Sequence, residues 1–231
     1  MANACCTNFQ CGELGYAVGE VLLIVVGVTI ALAANSWYGD RQERRDELQV
    51  LMQLQQALEI DLDEFESWYA IETQVFQNVT SLVEHMVGAD PYDSSIVPNF
   101  GSVMTWVGVR TNSAPYEALK STGFDLISSH SLRLKLIYYY ENQFPRVHGA
   151  YLNDRAFATD RVVPYYMKNF RQTEPGTYIP DDYQDIRYDK YFWNLCMMKL
   201  TRLQDRILPH YEQTIEMNRD ILANIETELG N

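Results

Sequence analysis

The chain has 231 residues, of which 47% are hydrophobic and 21% charged; that is enough apolar material for a packed core and too little charge for a disordered chain. A formal net charge of −13 and an isoelectric point near 4.7 argue against a nucleic-acid partner, because binding a phosphate backbone needs a basic surface that displaces counterions. Three of the four cysteines, Cys5, Cys6 and Cys11, crowd the N-terminus, and Cys196 stands alone. The distribution fits no disulfide framework, and Cys-Cys-x4-Cys matches no zinc spacing. Residues 1–13 therefore read as a chemically inert tail.

Leu14 to Ala34 is a run of 21 residues with a single charge, Glu20. As a helix it spans roughly 31 Å, the thickness of a bilayer's hydrocarbon core. Tyr16 stands at one end and Trp37 with Tyr38 at the other, where amphipathic rings favour the headgroup level. Residues 14–38 are thus expected to form one transmembrane anchor. Ala31-Leu32-Ala33 has the small-x-small form of a signal-peptidase site, but no basic segment precedes the apolar run, so the segment is expected to remain uncleaved. Gly15-x3-Gly19 has a spacing that permits close helix contact, and Glu20 is either a boundary group or an intramembrane contact. Arg41, Arg44 and Arg45 follow the span and no Lys or Arg precedes it, which by the positive-inside rule puts the remainder of the chain inside.

Residues 40–231 are expected to form a helical extramembrane domain. Apolar residues recur at helical steps from Leu48 to Met86, with no Pro or Gly between Arg41 and Val87. The anchor is therefore expected to continue as one long helix, with Gly39 its only soft point. Asp61, Asp63, Glu64 and Glu66 read as a solvated acidic face. Gly88 to Gly101 reads as a loop and Val103 to Val109 as a possible short strand. Ser113 and Pro115 suit the start of a helix that stops near Gly123. Ser128 or Ser129 caps another helix, which continues to about Phe170 and is expected to kink or break at Pro145 and Pro164. Thr173 to Asp189 is Pro-, Gly- and Asp-rich and reads as the longest loop. Tyr191 to Glu228 closes the chain as a helix kinked at Pro209. The expected fold is all-α, an antiparallel bundle built on the anchor helix.

No chemistry-bearing motif stands out. His85, His130, His148 and His210 are far apart, and none has a carboxylate three residues before it; the Glu-x-x-His pattern of di-iron bundles is missing, as are a P-loop, a dinucleotide turn and a nucleophile elbow. No catalytic residue, metal or cofactor is expected. Tyr138-Tyr139-Tyr140 and Tyr165-Tyr166 are unusual, because three successive helical positions cannot all face one core; contact surface and internal packing are equally open for them. Candidate partner contacts are Gly15, Gly19, Glu20, Trp37, Tyr138, Tyr139, Tyr140, Tyr178 and Tyr183.

Two stretches carry a resemblance. Tyr16-Ala-Val-Gly-Glu20 continues through Gly27 and Ala31-Leu32 to Asn35-Ser-Trp37, and Ala114-Pro-Tyr-Glu-Ala-Leu-Lys-Ser-Thr-Gly123 is followed by Leu126-Ile127 and Leu132 to Tyr140. Both resemble an uncharacterised family of bacterial single-pass membrane proteins, a domain of unknown function. The resemblance implies an anchor in the inner membrane and, since members usually carry a basic segment before the anchor, an external helical domain. It brings no catalytic residues. The expected function is a non-catalytic accessory or scaffold subunit of a larger membrane complex, with other membrane-protein subunits and the lipid bilayer as partners. A photosynthetic reaction-centre and antenna assembly is the first expectation for that complex. A membrane-tethered sensor and an enzyme with an unrecognised site are the alternatives.

Overall fold

A computed structural model describes residues 9–88 and 91–230, with side chains from residue 19 onward. Helix α1 runs from Phe9 to Val87 and passes through Gly39 without a break. The chain divides into two compact units, residues 1–49 and 50–231.

In the first unit, the described part of α1 leaves its apolar side chains uncovered; Val21 to Leu32 have large hydrophobic residues 54–77% exposed. Of the described helices, this one alone is long and apolar enough to cross a membrane, with a mean hydropathy of 1.9 over its best window.

The second unit is a helical bundle. From Leu51, α1 buries Leu54, Leu58, Phe65, Val75, Val79, Leu82 and Met86; with the buried Asp61 and Glu72 and the partly buried Trp68 these positions alternate steps of three and four as one continuous seam. Short elements follow: α2 (Val97–Met104) and α3 (Ala114–Thr122), the latter ended by Gly123 at φ 119°. A second long helical segment comprises α4 (His130–Tyr138), α5 (Phe144–Phe157) and α6 (Val163–Asn169). A hairpin, β1 (Phe170–Glu174) with β2 (Thr177–Pro180), turns the chain. Then come α7 (Tyr183–Tyr188), α8 (Lys190–Arg202) and α9 (Leu208–Gly230). Leu58 and Asn218, Tyr69 and Glu212 are hydrogen-bonded, so α9 descends as α1 rises. Lys135 pairs with Asp220, and Asp154 with Lys199, so α4–α6 and α8–α9 are antiparallel too. The all-α bundle expected from periodicity is therefore present.

Several local expectations need correction. Pro145, Pro164 and Pro209 neither break nor end their helices. Each follows a π-helical segment, Tyr139–Gln143, Ala158–Val162 and Leu203–Ile207, and stands six residues after its first residue. Proline lacks an N–H and its ring clashes with the carbonyl four residues back. Here the residue before each proline bonds instead to the carbonyl five back: Phe144 to Tyr139, Val163 to Ala158 and Leu208 to Leu203. The widened turn accommodates the ring, so the helix continues. Gly88 to Gly101 is not all loop, since α2 starts at Val97. Val103 to Val109 is no strand, because α2 extends to Met104 and an irregular segment follows.

The stretch expected as a long loop begins inside the hairpin and contains α7. Pro175-Gly176 is a two-residue turn with Gly176 at φ 81°, the geometry a type II turn requires at that position. The hairpin packs on α2 at Gly101, where any Cβ would run into the Gly176 carbonyl oxygen. Around it lies an aromatic nest. Tyr166 stacks on Phe170 with centroids 4.2 Å apart, Tyr178 meets Tyr166 edge-on, and the Tyr166 hydroxyl donates to the Phe100 carbonyl at 2.7 Å.

Candidate functional site

The bundle seam carries charged residues where apolar ones are the rule. Glu72 lies on α1 seven residues after Phe65 and three before Val75, Asp154 lies on α5 seven after Val147 and three before Phe157, and Lys199 lies on α8 four before Leu203. All three are at most 2% exposed. Lys199 Nζ donates to Asp154 Oδ2 at 2.5 Å and to the Thr105 carbonyl at 2.7 Å. Asp154 and Lys199 each precede a π segment by one turn, and their carbonyls share in the bifurcated bonds that open it: Ala158 N–H reaches both Arg155 and Asp154, Leu203 N–H both Leu200 and Lys199.

Glu72 approaches this pair from the opposite helix. Burial is the main reason its carboxyl is pushed up to about 7; Asp154 adds to the rise, while Lys199 and the Val107 amide pull it down. Glu72 Oε2 and Asp154 Oδ1 have no protein hydrogen-bond partner. Both residues line a cavity of about 10 Å³ with Val107, Val147, Ala150, Tyr151, Ile207 and Tyr211, space of the order of one water molecule.

The segment 105–113 runs along α1 from this cluster back to Asp61 and is fastened three times. Lys199 holds Thr105 O, the Val107 amide faces Glu72, and Asp61 takes both the Thr111 hydroxyl and the Asn112 N–H, the latter at 2.7 Å. Asp61 is 1% exposed, and burial raises its pKa. This corrects the solvated reading for one member of the acidic run. Asp63 and Glu66 are exposed, and Glu66 pairs with Arg219 at 2.7 Å.

The nine contact candidates are scattered. Gly19, Glu20 and Trp37 are exposed on α1, and the Arg41 guanidinium sits 4.3 Å above the Trp37 ring. Gly15 is helical, and its surroundings lie outside the described residues, as do Cys5 and Cys6. Tyr138 is 41% exposed, but Tyr139 is fully buried and Tyr140 nearly so. Tyr139 Oη accepts from Asn218 Nδ2 at 3.2 Å, and Tyr140 stacks on Tyr116 at 4.3 Å. Burial raises both hydroxyl pKa values. Tyr183 is buried beside His85 and Tyr92, and Tyr178 is half-buried against Tyr166. Tyr139, Tyr140 and Tyr183 are thus core residues of their own unit; Tyr139 and Tyr140 open the π segment, and both rings turn inward.

Cys196 is buried with its thiol pushed up to about 12 by burial, which leaves it unreactive. Among the described residues, no three His, Cys, Asp or Glu side chains converge as metal ligands. The Glu72–Asp154–Lys199 cluster escaped sequence reasoning because its members are 82 and 45 residues apart and match no motif. The available signal was positional: a charge at a seam position of each of three helices. No family model, curated protein or solved structure matches the chain.

Proposed function

We propose that the chain is a non-catalytic accessory or scaffold subunit, anchored in a bacterial inner membrane by residues 14–38 and presenting its helical unit on the periplasmic side. One observation carries the proposal: Val21, Leu22, Leu23, Ile24, Val25, Val26, Val28, Ile30 and Leu32 are each at least 54% exposed on a single helix. Side chains of this kind each gain roughly 1.5–3 kcal/mol on leaving water, so the helix belongs in lipid or against other apolar helices. Trp37 and Tyr38, 56% and 67% exposed, mark the headgroup level at its end. The resemblance described above supports the periplasmic placement.

Space counts against catalysis at the buried cluster. The buried cluster has the residue types of an acid–base site, but Lys199 is wholly covered and the adjoining cavity of about 10 Å³ admits no carbon substrate. Exposed Trp37 and Tyr138 are the contact residues that fit an accessory role, since aromatic anchors dominate binding energy where exposed charge pairs add little.

The test is purification of a C-terminally tagged chain from native membranes in mild detergent, with identification of what accompanies it. A stable assembly containing other membrane proteins is expected, and a photosynthetic complex is one possible identity. Trp37→Ala with Tyr138→Ala should weaken that assembly while helical content is kept. Recovery of the chain alone, at the size of one copy in detergent, would overturn the scaffold reading. Protease added to spheroplasts should digest the helical unit; protection there would reverse the orientation.

A further inference from the structure

The strongest unassigned feature is the buried cluster beneath residues 105–113. Two carboxylates and one lysine meet in the core, two carboxylate oxygens have no protein partner, and both residues line the same water-sized cavity. Among the described residues, no other group combines near-complete burial, unpartnered oxygens and a shared space.

We propose that Glu72 holds one exchangeable proton and shares one water molecule with Asp154 in this cavity, and that the proton governs how firmly residues 105–113 lie over α1. Asp154 Oδ2 is taken by Lys199, which leaves Oδ1 to accept. The neutral Glu72 carboxyl donates a hydrogen bond to the bridging water, and the water donates one to Asp154 Oδ1. Both otherwise unpartnered carboxylate oxygens are then bonded. The cluster's formal charge is zero, with Asp154 and Lys199 cancelling.

Loss of the proton to solvent leaves two carboxylates facing one ammonium. The groups that face Glu72 are Asp154 and Tyr151 from α5, Lys199 from α8 and Tyr211 from α9. Of these only Lys199 is cationic, and it is already bonded to Asp154 and Thr105. The added negative charge therefore favours hydration, and the part of the cavity wall that belongs to no helix is Val107, in the irregular segment. Thr105 and Val107 both belong to this segment and both face the cluster; ionisation strengthens the Val107 amide contact, but the cost of a buried charge is the larger effect and is relieved when the segment lifts and admits water. The Asp61 clasp at Thr111 and Asn112 keeps the other end attached. The direction agrees with the raised carboxyl of Glu72, which titrates near 7. This device is independent of the membrane reading and would operate in the helical unit of a scaffold or of any other protein.

The experiment uses the full chain in detergent. Infrared difference spectra follow the protonated-carboxyl band between about pH 6 and about pH 9, a range in which ordinary Asp and Glu are almost wholly ionised. Hydrogen exchange, corrected for intrinsic rate, follows the amides of residues 105–113 over the same range. One protonated carboxyl should disappear near pH 7, and exchange in 105–113 should rise about tenfold with it, a change of about 1.4 kcal/mol in local opening. In Glu72→Gln the band should be missing and the exchange independent of pH. Absence of a protonated carboxyl in the unsubstituted chain would overturn the proposal, whether or not the variant folds. So would a band that survives in Glu72→Gln, and so would pH-dependent exchange unchanged by that substitution.

Discussion

Replacing Lys199 with Met removes the one cation of the buried cluster at nearly constant volume. Lys199 is wholly covered, bonds Asp154 at 2.5 Å and Thr105 O at 2.7 Å, and Asp154 is itself 1% exposed. The variant strands a buried carboxylate and leaves a backbone carbonyl without its donor. Breaking a buried pair from one side costs about 3–5 kcal/mol, a large part of the roughly 5–15 kcal/mol that holds a domain folded. At about 2–4 °C per kcal/mol for a domain of this size, the midpoint of thermal unfolding should fall by roughly 6–20 °C. Far-UV circular dichroism of the full chain in detergent reads this directly. The pair itself is expected to add little net stability, because its desolvation cost offsets its attraction. Lys199→Met combined with Asp154→Leu should therefore recover most of the loss, to within about 1 kcal/mol. A single variant that loses less than about 1 kcal/mol would show that Asp154 is solvated and that no buried pair exists. A double variant as unstable as the single one would show that the cost is packing, not charge.

Asp61→Ala should cost roughly 1–3 kcal/mol through the loss of both its acceptor bonds, and hydrogen exchange at Asn112 should rise while that of α1 stays slow. Gly101→Ala places a Cβ against the Gly176 carbonyl, a backbone atom that cannot swing aside; a loss of about 1–3 kcal/mol in denaturant unfolding is expected, while Gly108→Ala, with open space around it, should cost little. Stability should also depend on pH through Glu72, whose carboxyl rises from 4.5 to about 7 on folding. The folded chain holds a proton between those values that the unfolded chain has lost. Its contribution, roughly 3 kcal/mol, is therefore full below pH 4.5 and disappears as pH rises through 7. Chemical denaturation across that range should show the slope, and Glu72→Gln should flatten it.

Much of the fold was legible because helical periodicity is a direct record of burial. The seam of α1 can be read from Leu51 to Met86, and Gly123 ended α3 where a residue at positive φ was needed. Strict heptad counting from Leu51 and Leu54 would also have placed Asp61 and Glu72 on the seam. Reading charge as a mark of solvation hid them. The hairpin was signalled locally by Pro175-Gly176, but the Pro- and Gly-rich composition around it reads equally as a loop. Pro145, Pro164 and Pro209 read as kinks or breaks in the sequence because a proline's clash is local information, whereas its relief by a π segment depends on the whole bundle keeping the helix in place. The candidate site was the least legible part. Asp154 and Lys199 meet only after the hairpin reverses the chain, and no spacing in the sequence encodes that meeting.

The proposed placement of residues 14–38 in a bilayer is tested most directly by alkaline carbonate extraction of membranes from cells expressing the full chain. The chain should remain in the pellet, with an intact mass that includes the apolar segment. Replacing Leu22, Ile24, Val26 and Ile30, all at least 55% exposed, with Ser should release it to the wash with its helical unit still folded. Release of the unsubstituted chain into the wash would contradict the account.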